Sequence, residues 1–145
     1  MTESMSALTD VAHINWLGVA VGALAYYMLG ALWFTPLFGK AWDRSIGHDR
    51  PKAERFGVAY YVVPLVSAVL VSVMLGIVLA ASKPGGLADA MLIGLMVGVA
   101  AAAVSINNAL TPHTPRPYLF GAVTGGYHLV GITVAAVLIE VISTQ

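Results

Sequence analysis

The chain is 145 residues long, 59% hydrophobic and only 10% charged, against roughly 25% charged residues in an ordinary soluble domain. Seven Lys and Arg balance seven Asp and Glu, which excludes a basic nucleic-acid-binding surface and an acidic tail alike. The lack of cysteine excludes disulfides, thiolate nucleophiles, cysteine-ligated zinc and iron–sulfur clusters, and a mean hydropathy of +0.84 points to an integral membrane protein.

Four uncharged windows follow one another, at 11–39, 56–82, 90–115 and 117–139. Each exceeds the roughly 20 residues that a helix needs to cross about 30 Å of hydrocarbon. Isolated apolar windows of this length satisfy their backbone hydrogen bonds in lipid as helices. The fold class is therefore all-α: a polytopic membrane protein forming one transmembrane domain over residues 1–145. Its four spans are expected near 14–34, 58–81, 89–110 and 118–141. Residues 1–13 hold Glu3 and Asp10 but no Lys or Arg, and Trp33-Phe34-Thr35-Pro36 follows the first window. A secretory signal has a basic start and a small-residue cleavage site, so the first span is expected to be retained.

The loop after the first span, about 37–56, holds Lys40, Arg44, Arg50, Lys52 and Arg55, and the loop after the third holds Arg116. Lys83 alone lies between spans two and three. The positive-inside bias puts the first and third loops in the cytoplasm and both termini outside. Phe38, Trp42 and Ile46 are spaced to share one side of a short interfacial helix. Pro51 suits the first turn of a helix, so span two is expected to begin within this loop. Pro112, Pro115 and Pro117 make the third loop stiff and extended.

Spans one and three share features at a constant offset: Gly18 and Gly22 match Gly94 and Gly98, Ala25 matches Ala101, and Thr35-Pro36 matches Thr111-Pro112. Spans two and four align less well, with Gly57, Leu65 and Val66 against Gly121, Leu129 and Val130. The pattern suggests two parallel helical hairpins related by an axis along the membrane normal. Gly18-x-x-x-Gly22, Gly94-x-x-x-Gly98, Gly121-x-x-x-Gly125 and Ala122-x-x-x-Gly126 are ridges of small residues that let helix backbones approach closely. Some are expected to join helices within the chain, and a surplus to join copies into a homo-oligomer or to meet a partner membrane protein.

Hydrogen-bonding residues at membrane depth are the functional candidates. His128 falls near mid-membrane on span four, next to Tyr127, with Tyr26 and Tyr27 at similar depth on span one. Asn107 and Asn108 lie towards the end of span three, level with Trp33, Tyr60 and Tyr61, and Pro64 frees a backbone carbonyl at Tyr60. An intramembrane ionisable group is a functional candidate by default. A neutral His128 bonded to a neighbouring helix would instead be packing glue. Trp16, Trp33, Trp42 and Tyr118 suit interfacial anchoring, and Glu140 is close enough to the outer end of span four to reach headgroups. No acidic residue sits in mid-span. No histidine pair has metal-ligand spacing, no carboxylate pair suits acid–base work, and no glycine-rich phosphate loop precedes a helix. Neither catalysis, a cofactor nor a metal is expected.

Two stretches carry more than a general membrane signal: 29–42, Leu-Gly-Ala-Leu-Trp-Phe-Thr-Pro-Leu-Phe-Gly-Lys-Ala-Trp, and 126–130, Gly-Tyr-His-Leu-Val. With the four-helix layout they resemble the bacterial membrane family called domain of unknown function 1761, over nearly the whole chain. The chain departs in having Phe34 where tyrosine is more usual, and in its proline-rich third loop. The resemblance brings no activity, but it draws attention to Trp33, Pro36, Gly39, Lys40, Trp42, Tyr127 and His128. Two functions follow as expectations: a self-associating structural or accessory membrane protein, or a channel or carrier for a small solute with a polar pocket around His128.

Overall fold

The computed structural model describes residues 13–51 and 54–145; Glu3 and Asp10, used above against a secretory signal, and Lys52, used to orient the chain, lie outside the described residues. The elements are α1 (Trp16–Leu32), a π-helical turn (Trp33–Leu37), α2 (Gly39–Ile46), α3 (Val58–Ser82), α4 (Leu87–Ala109) and α5 (Pro117–Ser143). No strand occurs among the described residues. Four helices are long and apolar enough to cross a membrane: α1 with its π turn, α3, α4 and α5.

Local chemistry sets the ends. Asn15 caps α1, its Oδ1 accepting from Gly18 N at 2.9 Å while its Nδ2 donates to Ile142 O at 3.1 Å. That second bond ties the start of α1 to the end of α5. Gly47 ends α2 in the left-handed conformation, φ 70°, and Pro117 opens α5, where a missing N–H costs nothing. α3 does not begin in the loop near Pro51, as its sequence suggested. Gly57, at φ −64° and ψ 160°, precedes the first helical residue, Val58, so the charged residues stay outside the span.

α5 is the hub. α4 packs along its length, α1 crosses another side of it, and α3 packs mainly on α1 with a smaller contact to α5; α3 and α4 barely meet. The layout is therefore not one of two equivalent hairpins, and spans one and three, alike in sequence, use their glycines on the same helix. A Cβ on Gly18 would sit 3.1 Å from Ile139 O, and one on Gly22 3.2 Å from Ala135 O. On the other side, a Cβ on Gly94 would fall 2.8 Å from Thr133 Cα, and one on Gly98 2.9 Å from Leu129 Cα. Gly121 and Gly125 face Ile106 and Ala102 of α4. Six of the seven ridge glycines thus meet another long helix of the same chain, and the seventh, Gly126, meets Trp33 of the π turn. These glycines serve packing within the chain, because α5 takes α1 and α4 at once, while Ala122 of the fourth ridge is exposed. Close backbone approach suits lipid, where apolar side chains gain little by meeting one another.

Two expectations about single residues change. Glu140 is buried at 7% exposure rather than reaching for headgroups. Trp33 is no surface anchor: its Nε1 donates to Val123 O on α5 at 2.9 Å, and its ring lies where Gly126 has no side chain.

Gly94→Val is expected to destabilise the fold by about 1–3 kcal/mol through overpacking against the α5 backbone. Gly57→Ala, with nothing within 4 Å of the added carbon, should be nearly neutral. Thermal unfolding in detergent, followed by tryptophan fluorescence, separates the two; equal midpoints would refute the close α4–α5 contact.

Candidate functional site

Beside the hub, α1, α3 and α5 enclose a cavity of about 590 Å³. The π turn lies at its edge. Pro36 has no N–H to continue an α-helical ladder, and the chain widens by one residue, so that Phe38 N bonds Trp33 O at 2.7 Å. Thr35 Oγ1 donates back to Ala31 O. A Cβ on Gly39 would come 2.7 Å from Phe34 O, so glycine lets α2 fold back directly after the turn. Phe34 and Trp42 thereby meet edge to face at 5.9 Å, and both line the cavity.

Two tyrosines and two glycines form the inner wall. The ring of Tyr26 on α1 lies over Gly131 on α5, and that of Tyr127 on α5 lies over Gly30 on α1. The rings stack at 5.0 Å with 21° between planes. Tyr127 Oη donates to Tyr26 O at 3.2 Å, and Tyr26 Oη shares a hydrogen bond with His128 Nδ1 at 2.5 Å, the donor set by the imidazole tautomer. At about 1.5 Å per residue, His128 lies about 17 Å into a helix about 40 Å long, which puts this pair deep in the span. Thr124, one turn below His128, also faces the cavity, and its Oγ1 is buried without a hydrogen-bond partner among the described residues.

At the other end, Arg50 borders the cavity from the loop after α2. Its Nη2 lies 2.7 Å from Asp43 Oδ1 and its Nε 3.2 Å from the same oxygen. The guanidinium stands 5.4 Å from the ring centre of Phe56 and 6.0 Å from that of Trp42. Phe56 stacks on Tyr60 at 4.0 Å, and Pro64 of α3 adds to the wall.

Of the polar residues expected at a site, Tyr26, Tyr27, Tyr127 and His128 come together on this cavity. Asn107 and Asn108 do not. They are exposed on α4, which α5 separates from the cavity. The motif residues divide the work: Trp33 docks on α5, Pro36 sits in the π turn, Gly39 allows the fold-back and Trp42 forms the rim. Lys40 lies outside this cavity, in a second hollow described below. Trp16 and Tyr118 are 60% and 76% exposed, as interfacial anchors would be. Sequence reasoning missed Gly30, Gly131, Phe34, Thr124 and Arg50. A signal was present for the glycines, because both tyrosines stand four residues before one, in Tyr26-x-x-x-Gly30 and Tyr127-x-x-x-Gly131. In antiparallel helices that spacing lets each ring cover the other's glycine.

Tyr26→Phe should leave α1 on α5, because the ring and the carbonyl that Tyr127 binds both remain. It should shift the Nδ1 resonance of His128 in nitrogen NMR. An unchanged resonance would show that the Tyr26 hydroxyl is not the partner of His128.

Residues 17–140 match the family described as protein of unknown function (DUF1761). No curated protein and no solved structure matches the chain. The matched residues take in nearly all of α1, the π turn, α2, the cavity and its Tyr26–His128 pair, and the chain, with its four membrane-compatible helices, belongs to this family.

Proposed function

We propose that the chain is a membrane-embedded binding protein, a carrier-type site, for a small and largely apolar molecule bearing one hydrogen-bonding group. The observation that carries this reading is the coincidence of three features in one cavity. Its walls are aromatic and aliphatic side chains, its inner end holds the Tyr26–His128 pair, and beside that pair lies the unpartnered hydroxyl of Thr124. Buried polar atoms are nearly always bonded, so Thr124, a residue of the cavity lining whose buried Oγ1 has no partner among the described residues, keeps hydrogen-bonding capacity next to the site. A volume of about 590 Å³ falls in the range of small-molecule sites. Catalysis is not part of the proposal, since tyrosine, histidine and threonine supply hydrogen bonds here but no activated nucleophile.

Self-association, the other expectation, loses the support of Gly18, Gly22, Gly94, Gly98, Gly121 and Gly125, which meet helices of the same chain; the exposed Ala122 of the fourth ridge remains open to it. The outward faces of α3 and α4 remain, and lipid covers such faces as well as a second copy would. For orientation we propose the basic loops on the cytoplasmic side of a bacterial inner membrane, with both termini outside. In support, Arg116 N bonds Ser45 O at 3.1 Å, which puts the two basic loops at one end of the helices.

A brominated phenol tests the site, because it is apolar, carries one hydroxyl and quenches tryptophan. In protein with Trp16→Phe, 4-bromophenol should quench the remaining fluorescence saturably through Trp42 at the rim. His128→Ala should weaken its binding by roughly three- to tenfold, the worth of one hydrogen bond. Quenching that rises linearly and ignores His128→Ala would reflect partition into lipid and overturn the reading. Orientation has its own check: a C-terminal alkaline phosphatase fusion should be active in intact cells, and an inactive one would reverse the assignment.

A further inference from the structure

A second hollow, of about 630 Å³, lies between α2, the loop after it and the proline-rich third loop. Its cationic groups are Lys40, Arg44, Arg50 and Arg116, and its carboxylates are Asp43 and Asp49. Arg50 and Asp43 neutralise one another at 2.7 Å, and His48 at the edge is engaged by Glu54 at 2.9 Å. Lys40, Arg44 and Arg116 have no ion-pair partner among the described residues, so three cations face the one remaining carboxylate, Asp49. The hollow is held in shape. Ser45, fully buried, accepts at its backbone oxygen from Arg116 N at 3.1 Å, and its Oγ donates to Trp42 O at 2.6 Å. Pro115 sits against Gly47, where a Cβ would come 3.1 Å from its ring. Two loops distant in sequence are thus strapped together with their basic side chains gathered around one space.

Arg50 lines both this hollow and the aromatic cavity. Polar and apolar spaces that adjoin at one residue match a molecule with an anionic head and an apolar tail. We propose that the ligand of this protein is an anionic amphiphile, its phosphate-bearing head held by Lys40, Arg44 and Arg116 and its tail in the cavity walled by Phe34, Trp42 and Tyr60. The proposal rests on the binding role given above for the cavity and names the class of molecule that fills it. The chemistry favours a phosphate over a carboxylate head. Lys40 and Arg44 on α2 and Arg116 on the third loop can address three oxygens at once, and basic pockets at the end of membrane helices suit such headgroups. Lys40, Arg44 and Arg116 are all exposed, so an anionic head can reach them without first displacing an internal partner.

The experiment uses the full chain in nanodiscs of neutral phosphatidylcholine and three probes: dioctanoyl phosphatidate, dioctanoylglycerol with the same tails but no anion, and inorganic phosphate. Phosphatidate is expected to bind saturably and tighter than dioctanoylglycerol. The double variant Arg44→Gln, Arg116→Gln should weaken phosphatidate on the order of tenfold and leave dioctanoylglycerol unchanged. Arg116 holds Ser45 through its backbone N–H, so the strap survives the substitution; Arg44→Lys with Arg116→Lys should retain most of the affinity and control for folding. Equal binding of phosphatidate and dioctanoylglycerol, or no effect of the double Gln variant, would overturn the headgroup site while leaving the cavity's binding role intact. Inorganic phosphate binding as tightly as phosphatidate would make the hollow a free-anion site and refute the amphiphile. Failure of both tailed probes to bind would overturn the cavity reading together with this one.

Discussion

Backbone contact along α5 is the constraint on which the rest of the structure depends. In hydrocarbon, leucine on leucine is worth no more than leucine on lipid, so helices associate through dispersion at close range and through the few hydrogen bonds they can share. α5 meets α1 at Gly18 and Gly22, and α4 at Gly94 and Gly98, through its own backbone and small side chains. These contacts fix the distance and rotation of α1 on α5, and the same rotation brings Tyr26 over Gly131 and Tyr127 over Gly30. The polar pair with His128 is a product of that docking. α3, which lacks such a ridge against α5, stands off far enough for a cavity to open between it and the other two.

The cavity joins two kinds of boundary. Towards mid-membrane it ends on groups that satisfy one another, with Thr124 as the exception. Towards the basic end it stops at a charged residue, Arg50, whose ion pair and flanking rings let a guanidinium sit against an apolar space. The π turn links these boundaries. It breaks the α1 ladder where Pro36 would break it anyway, and the extra residue allows Phe34 to close the wall while Trp33 turns to α5.

The spans were legible in the sequence because charge is excluded from hydrocarbon whatever the packing, and gaps between charged residues mark them. The expected start of span two at residue 58 also matches α3; what failed is the earlier start suggested by Pro51, because Gly57 holds the first helical residue seven positions further on, where the charged loop stays solvated. Of the site, Tyr26, Tyr27, Tyr127 and His128 were legible as polar groups of matching depth. Asn107 and Asn108 had comparable chemistry and were misplaced, because depth is readable along a helix whereas facing depends on which neighbour it chooses. The apparent likeness of spans one and three misled for a related reason. Identical ridges state that something will come close and are silent on whether both will meet the same partner, as Gly18 and Gly94 do at α5. Arg50 could not be foreseen, since a loop charge carries no periodicity to say which way it folds.

Gly131 shows what the absence of a side chain does here. The Tyr26 ring occupies the space that a methyl group at that position would take, and Tyr127 already stacks on the opposite side of the ring. A ring pushed off Gly131 has one open direction, into the cavity it now lines. The size of the cavity thus depends on the position in its wall that contributes least matter, and one added carbon there would turn the protein's own ring into its occupant.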